Sequence, residues 1–157
     1  MNIVKKDSIM VMGYGWSGSY QAAERGEVQK VWARFLEDIR KISYSTDKPR
    51  VICPFHDRET EFTYYIGLEV GDTELSELPP EMTKIHIPAR EYATFTHSGP
   101  VEKVFETYKQ AYRELENKGI QLLHDTLKLE VYSMEQAEQI TSATELTFEI
   151  NLPVKTL

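Results

Sequence analysis

Glu61-Phe-Thr-Tyr-Tyr-Ile-Gly-Leu-Glu-Val70 aligns without a gap on Glu145-Leu-Thr-Phe-Glu-Ile-Asn-Leu-Pro-Val154, and five of the ten positions are identical. Tyr64 opposite Phe148 is a sixth, near match. Upstream, Gly26-Glu-Val-Gln-Lys-Val-Trp32 returns 73 positions later as Gly99-Pro-Val-Glu-Lys-Val-Phe105. A unit of roughly 75 residues used twice predicts a pseudo-twofold molecule, with a groove between its halves as the natural place for a ligand.

Each repeat contains one clear helix. Val28, Val31, Trp32, Phe35, Leu36, Ile39 and Ile42 mark one face of a 3.6-residue period. Val101, Val104, Phe105, Tyr108, Tyr112 and Leu115 mark the same face of the second helix. Pro100 suits a first helical turn, and Gly119 suits a left-handed C-terminal cap. Strand patterns flank both helices, at 9–16, 50–55 and Glu61–Val70 in the first unit and at 91–97, 126–132 and 145–154 in the second. Segment 82–87 reads as a short strand leading into the second unit, and 133–144 as a connection with a helical turn. The predicted fold is α+β: duplicated strand–helix–strand–strand modules, one antiparallel sheet, two helices on one face and a ligand groove on the other. A single domain over 1–157 holds pseudo-repeats at about 2–71 and 82–155, joined by an acidic, proline-ended linker at 72–81.

Composition narrows the function. A net charge of −7 and the lack of any basic stripe argue against direct nucleic-acid binding and favour cationic ligands. No apolar run is long enough to span a membrane, and Met1-Asn-Ile-Val-Lys-Lys6 has no signal-peptide core behind it. Cys53 is alone, so a reducing cytoplasm is the expected location. The four histidines, His56, His86, His97 and His124, have no metal-ligand spacing, and neither metal nor cofactor is expected. Gly13-Tyr-Gly-Trp-Ser-Gly18 lacks a Walker lysine and a dinucleotide spacing; it reads as a strand-to-helix loop at the lip of a groove.

Alternation along the strands sorts their side chains. Phe62, Tyr64, Ile66, Leu68 and Val70 share an apolar face, as do Leu146, Phe148, Ile150, Leu152 and Val154. In 127–132 the leucines and Val131 oppose Lys128, Glu130 and Tyr132. With the apolar faces turned to the helices, the other face carries Tyr65, Glu130, Tyr132 and Glu149. An alternating carboxylate usually ends in solvent. Acids beside tyrosines on central strands are better suited to a pocket wall.

Four stretches together resemble the GyrI-like (gyrase-inhibitor-like) effector-binding domains found in multidrug-responsive bacterial transcription regulators. They are Ile87-Pro-Ala-Arg-Glu-Tyr-Ala-Thr-Phe-Thr-His-Ser-Gly-Pro100, Tyr65-Ile-Gly-Leu-Glu-Val70, Leu129-Glu-Val-Tyr132 and Glu149-Ile-Asn-Leu-Pro-Val-Lys155. The resemblance covers about residues 2–155 and implies that Glu130 sits at the bottom of an aromatic pocket, meeting the charge of a lipophilic cation. Tyr65, Tyr132, Trp16, Tyr14 and Phe95 are the candidate walls, and Glu149 repeats the position of Tyr65 in the other half. The regulators carry a DNA-binding module ahead of this domain, whereas this repeat begins near Met1; a free-standing sensor acting through another chain is expected. Two alternatives follow from the family. One is a small-molecule hydrolase using Glu130 with Tyr132. The other is an interaction module docking on a topoisomerase or a separate regulator through the acidic stretches 71–81 and 133–145.

Overall fold

The computed structural model describes residues 1–40, 49–70 and 81–155. In chain order the elements are β1 (Asn2–Lys6), β2 (Ile9–Ser19), α1 (Tyr20–Glu24), α2 (Glu27–Ile39), β3 (Arg50–Asp57), β4 (Glu61–Val70), β5 (Thr83–Ile87), β6 (Arg90–Pro100), α3 (Val104–Asn117), β7 (Lys128–Ser133), α4 (Met134–Gln139) and β8 (Glu145–Pro153). The fold is α+β, and the eight strands form one antiparallel sheet in the order β1-β6-β8-β7-β3-β4-β2-β5. Ile42 and most of the expected linker lie outside the described residues.

Read outward from the centre, the sheet displays the duplication. β3 and β7 are neighbours, flanked by β4 and β8, then β2 and β6, then β5 and β1. The edge strands are exchanged: β1 precedes β2 in the chain but pairs with β6, while β5 precedes β6 but pairs with β2. Each half thus covers the open edge of the other, removing an unpaired backbone ladder from both. The first of these strands, β1, has no counterpart among the sequence-based predictions.

The helices form where the periodicity places them. Gly26 adopts φ 92° before α2, and Gly119 adopts φ 67° after α3, left-handed conformations that cost a glycine little. Helix α2 buries Trp32, Phe35, Leu36 and Ile39, and α3 buries Ala111 and Leu115. The repeats differ in what they bury: Trp32 is 3% exposed, but its counterpart Phe105 is 70% exposed, with the Lys109 ammonium 5.0 Å from its ring centre. Helix α3 therefore turns Tyr108, Ala111 and Leu115 toward the sheet and leaves Phe105 outside the buried stripe.

The glycine-rich segment 13–18 is not a loop. It continues β2, with Gly13 opposite Gly67, Gly15 opposite Tyr65 and Gly18 opposite Phe62. A Cβ at Gly13 would fall 1.8 Å from the Ile66 carbonyl oxygen, and one at Gly15 would strike the Tyr65 ring at 2.8 Å. The glycines allow close strand approach and a seat for that ring.

Both sheet faces are apolar. The helix side holds the main core, including Met12, Phe35, Ile66, Leu68, Phe148, Ile150 and Leu152. The opposite side buries Val11, Ile52, Ile87, Tyr92, Leu129 and Val131.

Candidate functional site

Strand register decides where the acid of β7 points. Glu130 lies opposite Ile150 on β8 and Cys53 on β3, whereas Val131 lies opposite Glu149. Ile150 belongs to the helix-side core, so Glu130 and Tyr132 face the helices. Tyr65 and Glu149 do not share that face. Tyr65 lies over Gly15, and Glu149 pairs with Lys6 at 3.2 Å and accepts from Asn151 Nδ2 at 3.2 Å. The grouping of Tyr65 and Glu149 with Glu130 and Tyr132 is corrected accordingly. Parity within β7 is right, but every residue from Lys128 to Tyr132 is buried, so hydrophobicity alone picks the wrong side.

Three elements converge on Glu130. Its Oε1 accepts from Tyr64 Oη of β4 at 2.6 Å and from Tyr132 Oη of β7 at 3.0 Å, and its Oε2 accepts from Tyr108 Oη of α3. Around this centre Phe148 stacks on Tyr132 at 4.7 Å, Trp32 meets Tyr132 edge-on at 5.4 Å, and Phe55 meets Tyr108 edge-on at 6.0 Å. Glu130 is 8% exposed. Burial pushes its carboxyl above the ordinary range, against the three hydroxyl donors and nearby His97, which pull it down. Burial also holds the hydroxyls of Tyr64, Tyr108 and Tyr132 well above the usual phenol range, so they remain donors.

The nearest basic side chain along β7 is engaged elsewhere. Lys128 is bonded to Asp57, and its ammonium lies 5.2 Å from the Tyr112 ring centre. Among the described residues Glu130 has hydroxyl partners and no cation at ion-pair distance.

A pocket of about 210 Å³ opens beside this carboxylate. Glu130, Tyr64 and Tyr132 line it together with Trp32 and Val28 of α2, Val101, Val104 and Phe148. Sites that bury a drug-sized ligand typically measure about 300–1,000 Å³, so a guest of several rings has to part these walls.

The remaining sequence-predicted residues share the sheet face without lining the pocket. Tyr14 bonds Asp38 under the Arg34 guanidinium, which lies 4.3 Å from its ring centre; burial, then the Asp38 contact, push its hydroxyl up to about 12. Trp16 donates to Glu27 at 3.4 Å and packs on Phe62 at 5.0 Å. Phe95, opposite Ile150, packs against the core. Sequence reasoning missed Tyr64 and Tyr108, which it assigned to apolar stripes. Their hydroxyls were the available signal, because a buried phenol needs a polar partner.

Cys53 occupies the equivalent place in the first module. The β3–β4 register sets Cys53 beside Ile66, as Glu130 stands beside Ile150, and the two residues pair across the centre of the sheet. The pseudo-twofold therefore passes between a thiol and an acid, leaving a single carboxylate on the axis.

A duplicated α+β domain with an aromatic, acid-lined pocket under its helices defines a class of effector-binding domains. Residues 2–154 match the family described as integron-associated effector binding protein, and the chain belongs to that family. It is a GyrI-like domain, related to the ligand-binding domains of transcription regulators. Transcriptional regulator BrlR of Pseudomonas aeruginosa is 31% identical over 116 residues, covering 72% of this chain; the match spans 40% of the regulator's length. Among solved structures, SAV2435 bound to tetraphenylphosphonium superposes with a TM-score of 0.68 at 14% identity, covering 98% of this chain and 93% of that one. An integron cassette protein of Vibrio cholerae gives 0.62 at 19% identity, covering 98% and 95%. At these identities the structural likenesses show the fold. Among the described residues no helix is long and apolar enough to cross a membrane.

Proposed function

We propose that this domain binds lipophilic organic cations between α2, α3 and the sheet, with Glu130 as the counter-charge and Tyr64, Tyr108, Tyr132, Trp32 and Phe148 as its aromatic surround. The observation that carries this reading is a buried carboxylate satisfied by three hydroxyl donors with no cation beside it among the described residues. Such a group is held in place and polarised, yet its charge is unmatched, and a positive guest supplies the missing partner. Aromatic faces strengthen the attraction by about 0.5–2 kcal/mol through cation–π contact. The domain serves as a sensor whose occupancy is read by transcription machinery; its likeness to part of BrlR supports that role.

The test is a thermal-shift titration with tetraphenylphosphonium, the ion bound to SAV2435. The melting temperature of the wild type rises with the ion, and in Glu130→Gln the rise collapses. An equal rise in both proteins removes Glu130 as the anchor.

A further inference from the structure

His97 is a buried titratable side chain that takes no direct part in the pocket. It stands near the end of β6, 2% exposed, opposite Phe148 of β8. Its ring lies 5.4 Å from the Phe148 ring, and Phe148 stacks on Tyr132, a donor to Glu130. On its other side His97 Nδ1 lies 2.7 Å from Thr107 Oγ1 of α3, and the next residue, Tyr108, donates to Glu130 Oε2. Two short chains of contact join the imidazole to the carboxylate, and a charge on the ring favours the ionised form of Glu130.

The hydrogen bonds around the ring suit both of its charge states. Nε2 lies 3.3 Å from the Gly99 carbonyl oxygen, which can only accept, so this nitrogen carries a proton. Thr107 Oγ1 has a single proton and two acceptors within reach, His97 Nδ1 at 2.7 Å and the Lys103 carbonyl oxygen at 3.3 Å. With a neutral ring, the hydroxyl donates to Nδ1. With a charged ring, Nδ1–H donates to Oγ1 and the hydroxyl turns its own proton to the Lys103 carbonyl. Neither state leaves a buried donor without an acceptor, so the ring can gain a proton without losing a hydrogen bond.

The other charged groups of the elements packed on His97 turn away from it. Glu102, Lys103 and Glu106 are exposed, and Lys103 pairs with Glu106 at 3.6 Å. Glu149 of β8 is on the opposite sheet face with Lys6, and β1 pairs with β6 only as far as Thr94. Tyr108 and Tyr132 remain neutral donors, their hydroxyls held well above the usual phenol range by burial. Glu130 is the buried charge left for the imidazole to balance.

We propose that a cation entering the Glu130 pocket expels a proton from His97: the empty domain balances the carboxylate with a charged imidazole, and the guest's charge takes its place. The proton leaves Nδ1, which keeps the electron pair, and passes to solvent by way of half-buried Thr107, whose hydroxyl turns back to Nδ1. The inference rests on the cation site proposed above and gives that site its regulation, since acid surroundings then loosen the guest.

Isothermal titration with tetraphenylphosphonium at about pH 6, in two buffers of different ionisation enthalpy, counts the protons released. The wild type should release about one proton per ion bound at the acid end of the histidine range. His97→Gln, which keeps a donor for Gly99 and an acceptor for Thr107, should bind the ion and release far less. A second measurement needs neither that variant nor a ligand: the His97 ring resonances followed against pH by NMR. Their midpoint should fall by about one pH unit when Glu130→Gln removes the carboxylate, and likewise when the wild type is saturated with the ion. If the ion does not bind, the cation reading fails and this one with it. Binding without proton release, release undiminished in His97→Gln, or a His97 midpoint indifferent to both Glu130→Gln and the ion overturns this inference alone.

Discussion

Replacing Glu130 by Gln removes one charge while keeping the side chain's length and an oxygen for the tyrosine hydroxyls. Oε1 is already capped by Tyr64 at 2.6 Å and Tyr132 at 3.0 Å, so the centre of a bulky cation is held off the carboxylate. At about 5 Å and an effective dielectric of about 20, two opposite charges attract by about 3 kcal/mol. The variant should therefore bind tetraphenylphosphonium about a hundredfold more weakly, while aromatic contact and apolar burial preserve residual affinity. Isothermal titration at about pH 8, above the ordinary carboxylate range, measures the difference. Triphenylphosphine oxide, neutral and similarly shaped, is the control. Its affinity should change little, so that charge on the ligand and charge at position 130 show a coupling of about 3 kcal/mol in a double cycle. If the variant loses both ligands equally, Glu130 acts by shaping the pocket; if it loses neither, the cation binds elsewhere.

The remaining predictions concern pH, donors and packing. Glu130's carboxyl is raised in the folded chain, so between the unfolded value of about 4.3 and the folded one the native state holds a proton that the unfolded chain has released. Its contribution to stability falls as pH rises through that window and then levels off; the melting temperature of Glu130→Gln, relative to wild type, should climb over the same interval. A cation prefers the carboxylate form, so its affinity should increase with pH across the window, and a flat profile in both titrations would contradict the assignment. Tyr108→Phe removes the only donor to Oε2 among the described residues, which should cost about 1 kcal/mol in urea unfolding and move the midpoint of cation binding to higher pH. Trp32→Ala should destabilise by about 3–5 kcal/mol, whereas the equivalent change in the other repeat, Phe105→Ala, should stay within about 0.5 kcal/mol, because only Trp32 is buried. Gly13→Ala should lower stability by about 2 kcal/mol or more, since its methyl meets the Ile66 carbonyl; an unchanged denaturation midpoint would mean that the strands separate easily there.

Much of the architecture was legible because it depends on short-range order. The periodicity from Val28 to Ile39 and the run Glu61–Val70 mark α2 and β4, since a helix or strand presents neighbours at fixed spacing. The candidate site was only partly legible. Glu130 and Tyr132 stand in the pocket, but Tyr65 and Glu149 lie on the opposite face. Neither face of β7 is open to solvent, so alternation could separate Leu129 from Glu130 without saying which one turned to the helices. Gly13 and Gly15 misled in a related way: glycine is a loop signal in isolation, yet here it makes room for a neighbouring strand.

The sequence by itself determined that one strand–helix–strand–strand pattern occurs twice, because repeated side-chain order survives in the linear text. That Glu130 stands where the other repeat has Cys53 comes from strand register instead. Tertiary structure decided that β1 and β5 change partners, that β3 meets β7 at the centre, and that Glu130 turns toward Tyr64 and Tyr108. The physical reason is distance along the chain. Register between Glu130 and Ile150, and the hydroxyl from Tyr64 sixty-six residues away, arise from pairings that no local period encodes.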